Sequence, residues 1–108
     1  MAFTSILPED VVIMKLDGTI IDGIKVPSSE NAMHAIVYKN RKDVGGMIHV
    51  HSTFAATLSC LNQDLPAVDY LVAFAQGKSV KCAPCATYGT PELAENSINP
   101  WENKMLYY

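Results

Sequence analysis

The chain of 108 residues is long enough for one globular domain and too short for two ordinary ones. Its net charge of -3 comes without any basic run, which argues against binding to nucleic acid or to an anionic membrane surface. No apolar segment approaches the roughly 20 residues that span a bilayer. The N-terminus also lacks the basic region and apolar core of a signal peptide, so we expect a cytoplasmic protein without nucleic-acid or membrane partners.

The first half of the chain predicts a hairpin, a helix and a strand. Residues 11–16 and 19–21 are β-rich and flank Asp17-Gly18, a strong hairpin signal. Helical spacing of apolar residues after Ser28 and Ser29 predicts a helix over residues 29–41. Two glycines break this pattern, and "MIHVH" at residues 47–51 predicts a short buried strand that ends at a loop.

The second half alternates helices with short strands. "STFAATLSCLN" predicts a helix capped by Ser52 or Thr53, and "DLPAVDYLVAFAQG" another one closed by Gly77. "SVKCAP" predicts a strand that stops at its proline, and Thr90 and Pro91 predict a further helix as cap and first residue. "NKMLYY" resembles the start of a strand. The sequence therefore indicates an α/β sandwich with a partly antiparallel sheet.

The three cysteines are expected to be reduced. Their odd number, in a chain without an export signal, disfavours a disulfide framework. Cys82 and Cys85 have the Cys-x-x-Cys spacing of redox and zinc motifs. A structural zinc site needs a second pair of ligands, however, and none follows in the right register.

Two histidines in the predicted strand form the first candidate site. Successive side chains of a strand point to opposite faces, so His49 and His51 share a face and can converge on one point. A catalytic zinc usually takes three protein ligands, of which this pair supplies two. The same spacing also suits ordinary polar residues near a strand end. Glu30, at a helix N-terminus, is favoured there by the helix dipole whatever its role.

Other polar residues leave two interpretations open. Ser28 and Ser29 form either a phosphate cradle at a helix N-terminus or a simple cap. Tyr70 is either a buried anchor or a proton donor presented to a neighbouring subunit. His34, one turn after Glu30, is expected to pack on the sheet rather than face the site.

Several separated motifs occur in an order that resembles the class II aldolase/adducin superfamily, and most closely its L-fuculose-1-phosphate aldolases. They are Pro27-Ser28-Ser29-Glu30, His49-x-His51, Leu65-Pro66-Ala67 with Tyr70, and Ala83-Pro84 followed by Thr87-Tyr88-Gly89-Thr90. The resemblance implies a three-layer α/β sandwich with a mostly antiparallel central sheet flanked by helices. Residues 1–108 would form a single domain of this kind that lacks N-terminal and C-terminal portions.

The resemblance also implies roles for the site residues. His49 and His51 match the histidines that bind Zn²⁺, and Glu30 matches the acid/base residue, which can also approach the zinc as a ligand. The serines at positions 28 and 29 match residues that bind substrate phosphate. Tyr70 matches a proton donor that acts from an adjacent subunit of a homotetramer.

The reaction implied is the reversible cleavage of a ketose 1-phosphate, such as L-fuculose 1-phosphate, into dihydroxyacetone phosphate and an aldehyde. Family members are longer and carry further phosphate contacts and a third zinc histidine, which we expect to lie outside these 108 residues. Two alternatives remain. A pentulose-phosphate 4-epimerase fits less well because that branch tends to have aspartate at the position of Glu30. The other is a non-catalytic, truncated member of the fold that acts in assembly.

Overall fold

The structure, a computed structural model, describes residues 5–67, residue 70 and residues 79–99. In chain order the elements are a 3₁₀ turn (Pro8–Asp10), strands β1 (Ile13–Met14) and β2 (Ile20–Asp22), helices α1 (Asn31–Asn40) and α2 (Thr53–Cys60), strands β3 (Leu65–Pro66) and β4 (Ser79–Val80), and helix α3 (Pro91–Ile98). The described strands form two separate two-stranded sheets. Helices with antiparallel strands are thus confirmed, whereas the arrangement in three layers stays a prediction.

The predicted hairpin is confirmed. Strands β1 and β2 pair antiparallel, with Ile13 opposite Asp22 and an irregularity in the register one residue later. In the connection, the Asp17 carboxylate accepts a hydrogen bond of 2.9 Å from the Thr19 N–H. Gly18 has a φ of +91°, which glycine adopts without a steric penalty. The Asp-Gly pair therefore makes the turn through its local chemistry, as expected.

Helix α1 packs against α3 and supplies much of the small core. Val37 is completely buried, and Ala35, Ala94 and Val80 are nearly so. The helix begins at Asn31, later than predicted, because residues 28–30 form a turn of their own, in which the Asn31 side chain donates to the Ser28 carbonyl at 2.8 Å. The candidate carboxylate and serines therefore lie at the start of the best-packed helix.

The predicted helices α2 and α3 are both confirmed. Ser52 is the residue before the first turn of α2, although its side chain makes no capping hydrogen bond. At α3, the Thr90 hydroxyl accepts a hydrogen bond of 3.3 Å from the Leu93 N–H, and Pro91 occupies the first turn. Thr90 thus satisfies one of the backbone donors that every helix start leaves free.

The prediction of a buried strand over residues 47–51 is wrong. These residues form no strand with any described part of the chain. Ile48 is 87% exposed and Val50 is 70% exposed. Alternating apolar and polar residues show that a segment is able to pair, but a strand also needs a partner. In the described part of the chain β1 pairs with β2 and β3 with β4, and residues 47–51 pair with none of them. The histidines lie instead in an irregular segment between α1 and α2.

The beginning of "DLPAVDYLVAFAQG" is a strand rather than a helix. Leu65 and Pro66 of β3 pair antiparallel with Val80 and Ser79 of β4, which confirms a strand in "SVKCAP", although it ends at Val80 rather than at the proline. The proline explains the difference, because the residue before a proline is driven to extended backbone. Residues 68–69 and 71–77 of the predicted helix lie outside the described residues, as does the strand predicted in "NKMLYY". Within the described ranges, no helix has the length and apolarity to cross a bilayer.

Candidate metal and substrate site

The imidazoles of His49 and His51 converge on one point. Their Nε2 atoms are 3.0 Å apart, and the ring centroids are 4.9 Å apart with an angle of 14° between the ring planes. His49 is half-buried and His51 is exposed. The expectation that residues two apart share one side is confirmed, even though no strand forms there.

The separation of the two nitrogens suits part of a zinc site. Two imidazole nitrogens bound to one tetrahedral zinc at about 2.0–2.1 Å lie roughly 3.3 Å apart, close to the observed 3.0 Å. Within residues 5–67, 70 and 79–99, no group of three or more His, Cys, Asp or Glu side chains is arranged to hold a metal ion. The described residues therefore bring two imidazole nitrogens together, and Glu30 is not grouped with them in this arrangement.

His34 lies beside the pair, contrary to expectation. Its ring stacks on that of His49, with centroids 6.2 Å apart and an angle of only 6° between the planes. Burial and the nearby His49 lower the pKa of His34, against an opposing effect of Glu30. His34 does border the hairpin, since it lines the cleft between the hairpin and α1, but the expectation that it lies away from the site was wrong. A usable signal was present, because residues four apart on a helix lie on one face, which puts His34 on the Glu30 side of α1.

Residues 28–30 form a compact turn before α1. The Ser29 hydroxyl lies 3.4 Å from Glu30 Oε1, to which it donates a hydrogen bond, and the Ser28 hydroxyl accepts a bond of 3.2 Å from the Glu30 N–H. Gly89, with a φ of +71°, approaches this turn so closely that a Cβ atom there would lie 3.3 Å from the Ser29 carbonyl oxygen. The turn is thus held from outside by the loop before α3. Phosphate binding by the two serines stays a prediction.

Two clefts border these residues. A cleft of about 790 Å³ is lined by His49 and His51 together with all three cysteines, which are free thiols. A smaller cleft of about 340 Å³ between the hairpin and α1 is lined by Ser28 and His34. His34 therefore lies at the border between the two clefts. It lines the smaller cleft, and its ring contacts that of His49, which lines the larger one.

Tyr70 is not brought to the histidine pair. Its side chain is 77% exposed, and it lines neither cleft. Tyr88, in the loop before α3, is also largely exposed. Of the six predicted site residues, the structure places His49 with His51, and groups both serines with Glu30, while Tyr70 stands apart.

Comparison with known proteins gives several matches along the chain. A family model described as "Class II Aldolase and Adducin N-terminal domain" matches residues 1–106. A 5-deoxy-D-ribulose 1-phosphate aldolase of Bacillus thuringiensis serovar kurstaki is 52% identical over 88 residues, which are 82% of this chain and 41% of the relative. An L-fuculose phosphate aldolase of Escherichia coli is 43% identical over 80 residues, which are 74% of this chain and 37% of the relative.

A solved structure resembles this one closely. An L-fuculose 1-phosphate aldolase superposes with a TM-score of 0.90 at 43% identity, over 96% of this chain and 49% of that chain. The chain thus spans less than half the length of each of these relatives. The match of the family model along nearly the whole chain, together with this likeness, shows that the chain belongs to the class II aldolase and adducin family.

Proposed function

We propose that this chain is part of a zinc-dependent aldolase that reversibly cleaves a ketose 1-phosphate into dihydroxyacetone phosphate and an aldehyde. The observation that carries the proposal is the convergence of His49 and His51, whose Nε2 atoms lie 3.0 Å apart in a chain of this family. The names of the relatives support the same reaction class, since both are aldolases of sugar phosphates. An epimerase is less well supported because the chain has Glu30 where that branch tends to have aspartate.

His49 and His51 would hold Zn²⁺. Glu30, which the structure does not group with them, would have to approach the pair to act as a further ligand. Zinc bound there supplies Lewis-acid chemistry, which stabilises negative charge on a substrate oxygen. The two imidazoles suit this purpose because a neutral imidazole nitrogen is a common zinc ligand. The larger cleft, of about 790 Å³, offers room for a small sugar phosphate beside them.

Glu30 is the proposed acid/base residue. Its carboxylate accepts a hydrogen bond from the Ser29 hydroxyl, which is one residue away, and it stands at the start of α1. From this position it would move a proton between a carbon and an oxygen atom of the substrate. Ser28 and Ser29 would bind the phosphate through their hydroxyls at the start of α1, where the helix dipole favours an anion.

Tyr70 would donate a proton from a neighbouring subunit of a homotetramer. The support is its 77% exposure and its absence from the lining of the cleft that holds His49 and His51. A phenol that faces outward from its own subunit is available to the site of another one. In condensation Tyr70 would donate its proton to the aldehyde oxygen as that oxygen becomes the C4 hydroxyl, and in cleavage the phenolate would take the same proton back.

Two substrates follow from the relatives' names, L-fuculose 1-phosphate and 5-deoxy-D-ribulose 1-phosphate. Both are ketose 1-phosphates, so cleavage between C3 and C4 leaves dihydroxyacetone phosphate in each case and only the aldehyde differs. We favour L-fuculose 1-phosphate on the sequence motifs, whereas the higher identity of 52% favours the deoxypentulose ester. Both esters therefore belong in the same assay.

The test is release of dihydroxyacetone phosphate from each ester, with and without added zinc. We expect zinc-dependent release from at least one ester. Glu30→Gln should lower kcat by about 10²- to 10⁴-fold, because it removes a positioned proton-transfer group. The matched control is Glu92→Gln, which neutralises an exposed carboxylate in the first turn of α3 and should leave the rate unchanged.

Two results would contradict the proposal. One is the absence of dihydroxyacetone phosphate from both esters in the presence of zinc. The other is a wild-type rate in Glu30→Gln. Conversion of a pentulose phosphate at C4 without loss of carbon would instead support the epimerase.

A further inference from the structure

Among the described residues, His34 is an aromatic group that lies against the histidine pair and has no role in the proposed chemistry. Its ring is nearly parallel to that of His49, at 6°, and the centroids are 6.2 Å apart, within the range of offset stacking. We propose that His34 is a positioning residue that holds the His49 imidazole in the orientation that faces His51. This inference rests on the proposed function, because it assigns a cause to the geometry of the same metal site.

The histidine pair needs such a constraint because its own backbone supplies little. Residues 44–52 form no helix and no strand with any described residue. In a paired strand, ladder hydrogen bonds and neighbouring side chains limit the rotation of each ring. Here His51 is exposed and His49 only half-buried, so a flat neighbour adds to the restriction that the 3.0 Å contact between the two Nε2 atoms places on the His49 ring.

His34 is suited to act as that neighbour because its helix is the best-packed element. It is followed directly by Ala35, which is buried, and Val37 one turn further into the core has no exposed surface. Helix α1 is itself packed against α3. A ring fixed on this helix therefore presents a firm surface to a ring on the irregular segment.

The rings of His34, His49 and His51 form one stack, so a constraint on the His49 ring also affects the orientation of the His51 ring. The angle between planes is 6° from His34 to His49 and 14° from His49 to His51. His34 does not belong to a set of three metal-binding side chains in the described part of the chain. Its contribution is thus the face of its ring rather than a nitrogen.

The choice of variants follows from whether His34 acts through the face of its ring or through a nitrogen. His34→Phe keeps a flat ring at the same position and removes both nitrogens, whereas His34→Ala removes the ring. Zinc affinity should fall about 10- to 100-fold in His34→Ala, which is the usual cost of losing a residue that orients a ligand. His34→Phe should restore most of that affinity. Competition with a chromophoric chelator measures the zinc affinity, and the visible spectrum of bound Co²⁺ reports the ligand geometry.

Tyr38→Ala is the matched control. Tyr38 lies one turn after His34 on α1 and lines the same 340 Å³ cleft, but it stacks on neither His49 nor His51 among the described ring contacts. The Tyr38→Ala variant shows how truncation of an aromatic side chain on this helix affects zinc binding. Zinc affinity and the Co²⁺ spectrum should stay unchanged in Tyr38→Ala.

The outcomes separate the two proposals. Wild-type affinity in His34→Ala overturns the positioning role, and so does an equal loss in His34→Phe, which would show that a nitrogen is needed. An equal loss in Tyr38→Ala would reduce the effect to helix stability and likewise overturn it. If the wild-type protein itself binds neither zinc nor Co²⁺, the proposed function fails first and the inference with it.

Discussion

Gly89 connects the loop before α3 with the turn that carries Ser28, Ser29 and Glu30. Its φ of +71° lies in the left-handed region, and an added Cβ would lie 3.3 Å from the Ser29 carbonyl oxygen. Gly18 also has a positive φ, of +91°, but a Cβ there would meet nothing within 4 Å. An alanine would therefore strain the backbone at either position. Of the two, the alanine at position 89 would also contact the candidate site.

The two substitutions to alanine should therefore differ in function more than in stability. Each should cost about 1–2 kcal/mol in the free energy of unfolding, because alanine is strained at positive φ. Gly89→Ala should in addition raise KM for the sugar phosphate, since the Ser29 backbone must shift. Gly18→Ala should leave KM unchanged. Urea unfolding and steady-state kinetics check the two effects, and equal KM values in both variants would show that the contact with Ser29 is not felt by the substrate.

At the scale of single residues, the sequence predicted the histidine pair for a correct reason. Side chains two apart share a side wherever the backbone is extended, so His49 and His51 meet without a sheet. The neighbouring ring of His34 was missed because its contact with His49 joins positions 15 apart, across the end of α1 and the following segment. Helical spacing puts His34 on the same side of α1 as Glu30, but it does not encode the packing that brings the His49 ring against it.

At the scale of elements, the predictions that relied on short-range chemistry succeeded. The Asp17 side chain bonds within its own turn, and Thr90 caps α3, so each signal acts within three residues of where it is read. The failures at residues 47–51 and 65–66 concern strands. Whether a strand forms depends on a partner that is distant in sequence, as β3 shows by pairing with β4.

At the scale of the whole molecule, many large apolar side chains of the described residues are exposed. Val26 is 92% exposed, Ile24 88% and Phe54 85%, whereas Val37 is the one fully buried large side chain in the described residues. Exposed apolar surface of this extent is typical of contacts with further polypeptide. It supports the proposed association of subunits, through which Tyr70 would reach a neighbouring site.

Mixing two inactive variants tests that association. Glu30→Gln and Tyr70→Phe would each disable every site of a homo-oligomer. Co-expressed, they should form hybrids in which some sites combine an intact Glu30 with an intact Tyr70, so dihydroxyacetone phosphate release should partly recover.

The control for mixing pairs Glu30→Gln with His49→Ala. Both residues would serve the same subunit's site, so hybrids of these two variants should not regain activity by this route. Recovery in the control, or none with Tyr70→Phe, would contradict a role for Tyr70 across an interface.

The most direct test of the central proposal is zinc binding by the purified protein at neutral pH, measured by metal analysis after reconstitution. We predict one zinc ion per chain, lost in His49→Ala and in His51→Ala. Cys82→Ser should retain the metal, which excludes Cys82, one of the three thiols that line the same cleft, as a necessary ligand. Absence of zinc from the reconstituted wild-type protein, or its retention after both histidine substitutions, would contradict the proposal.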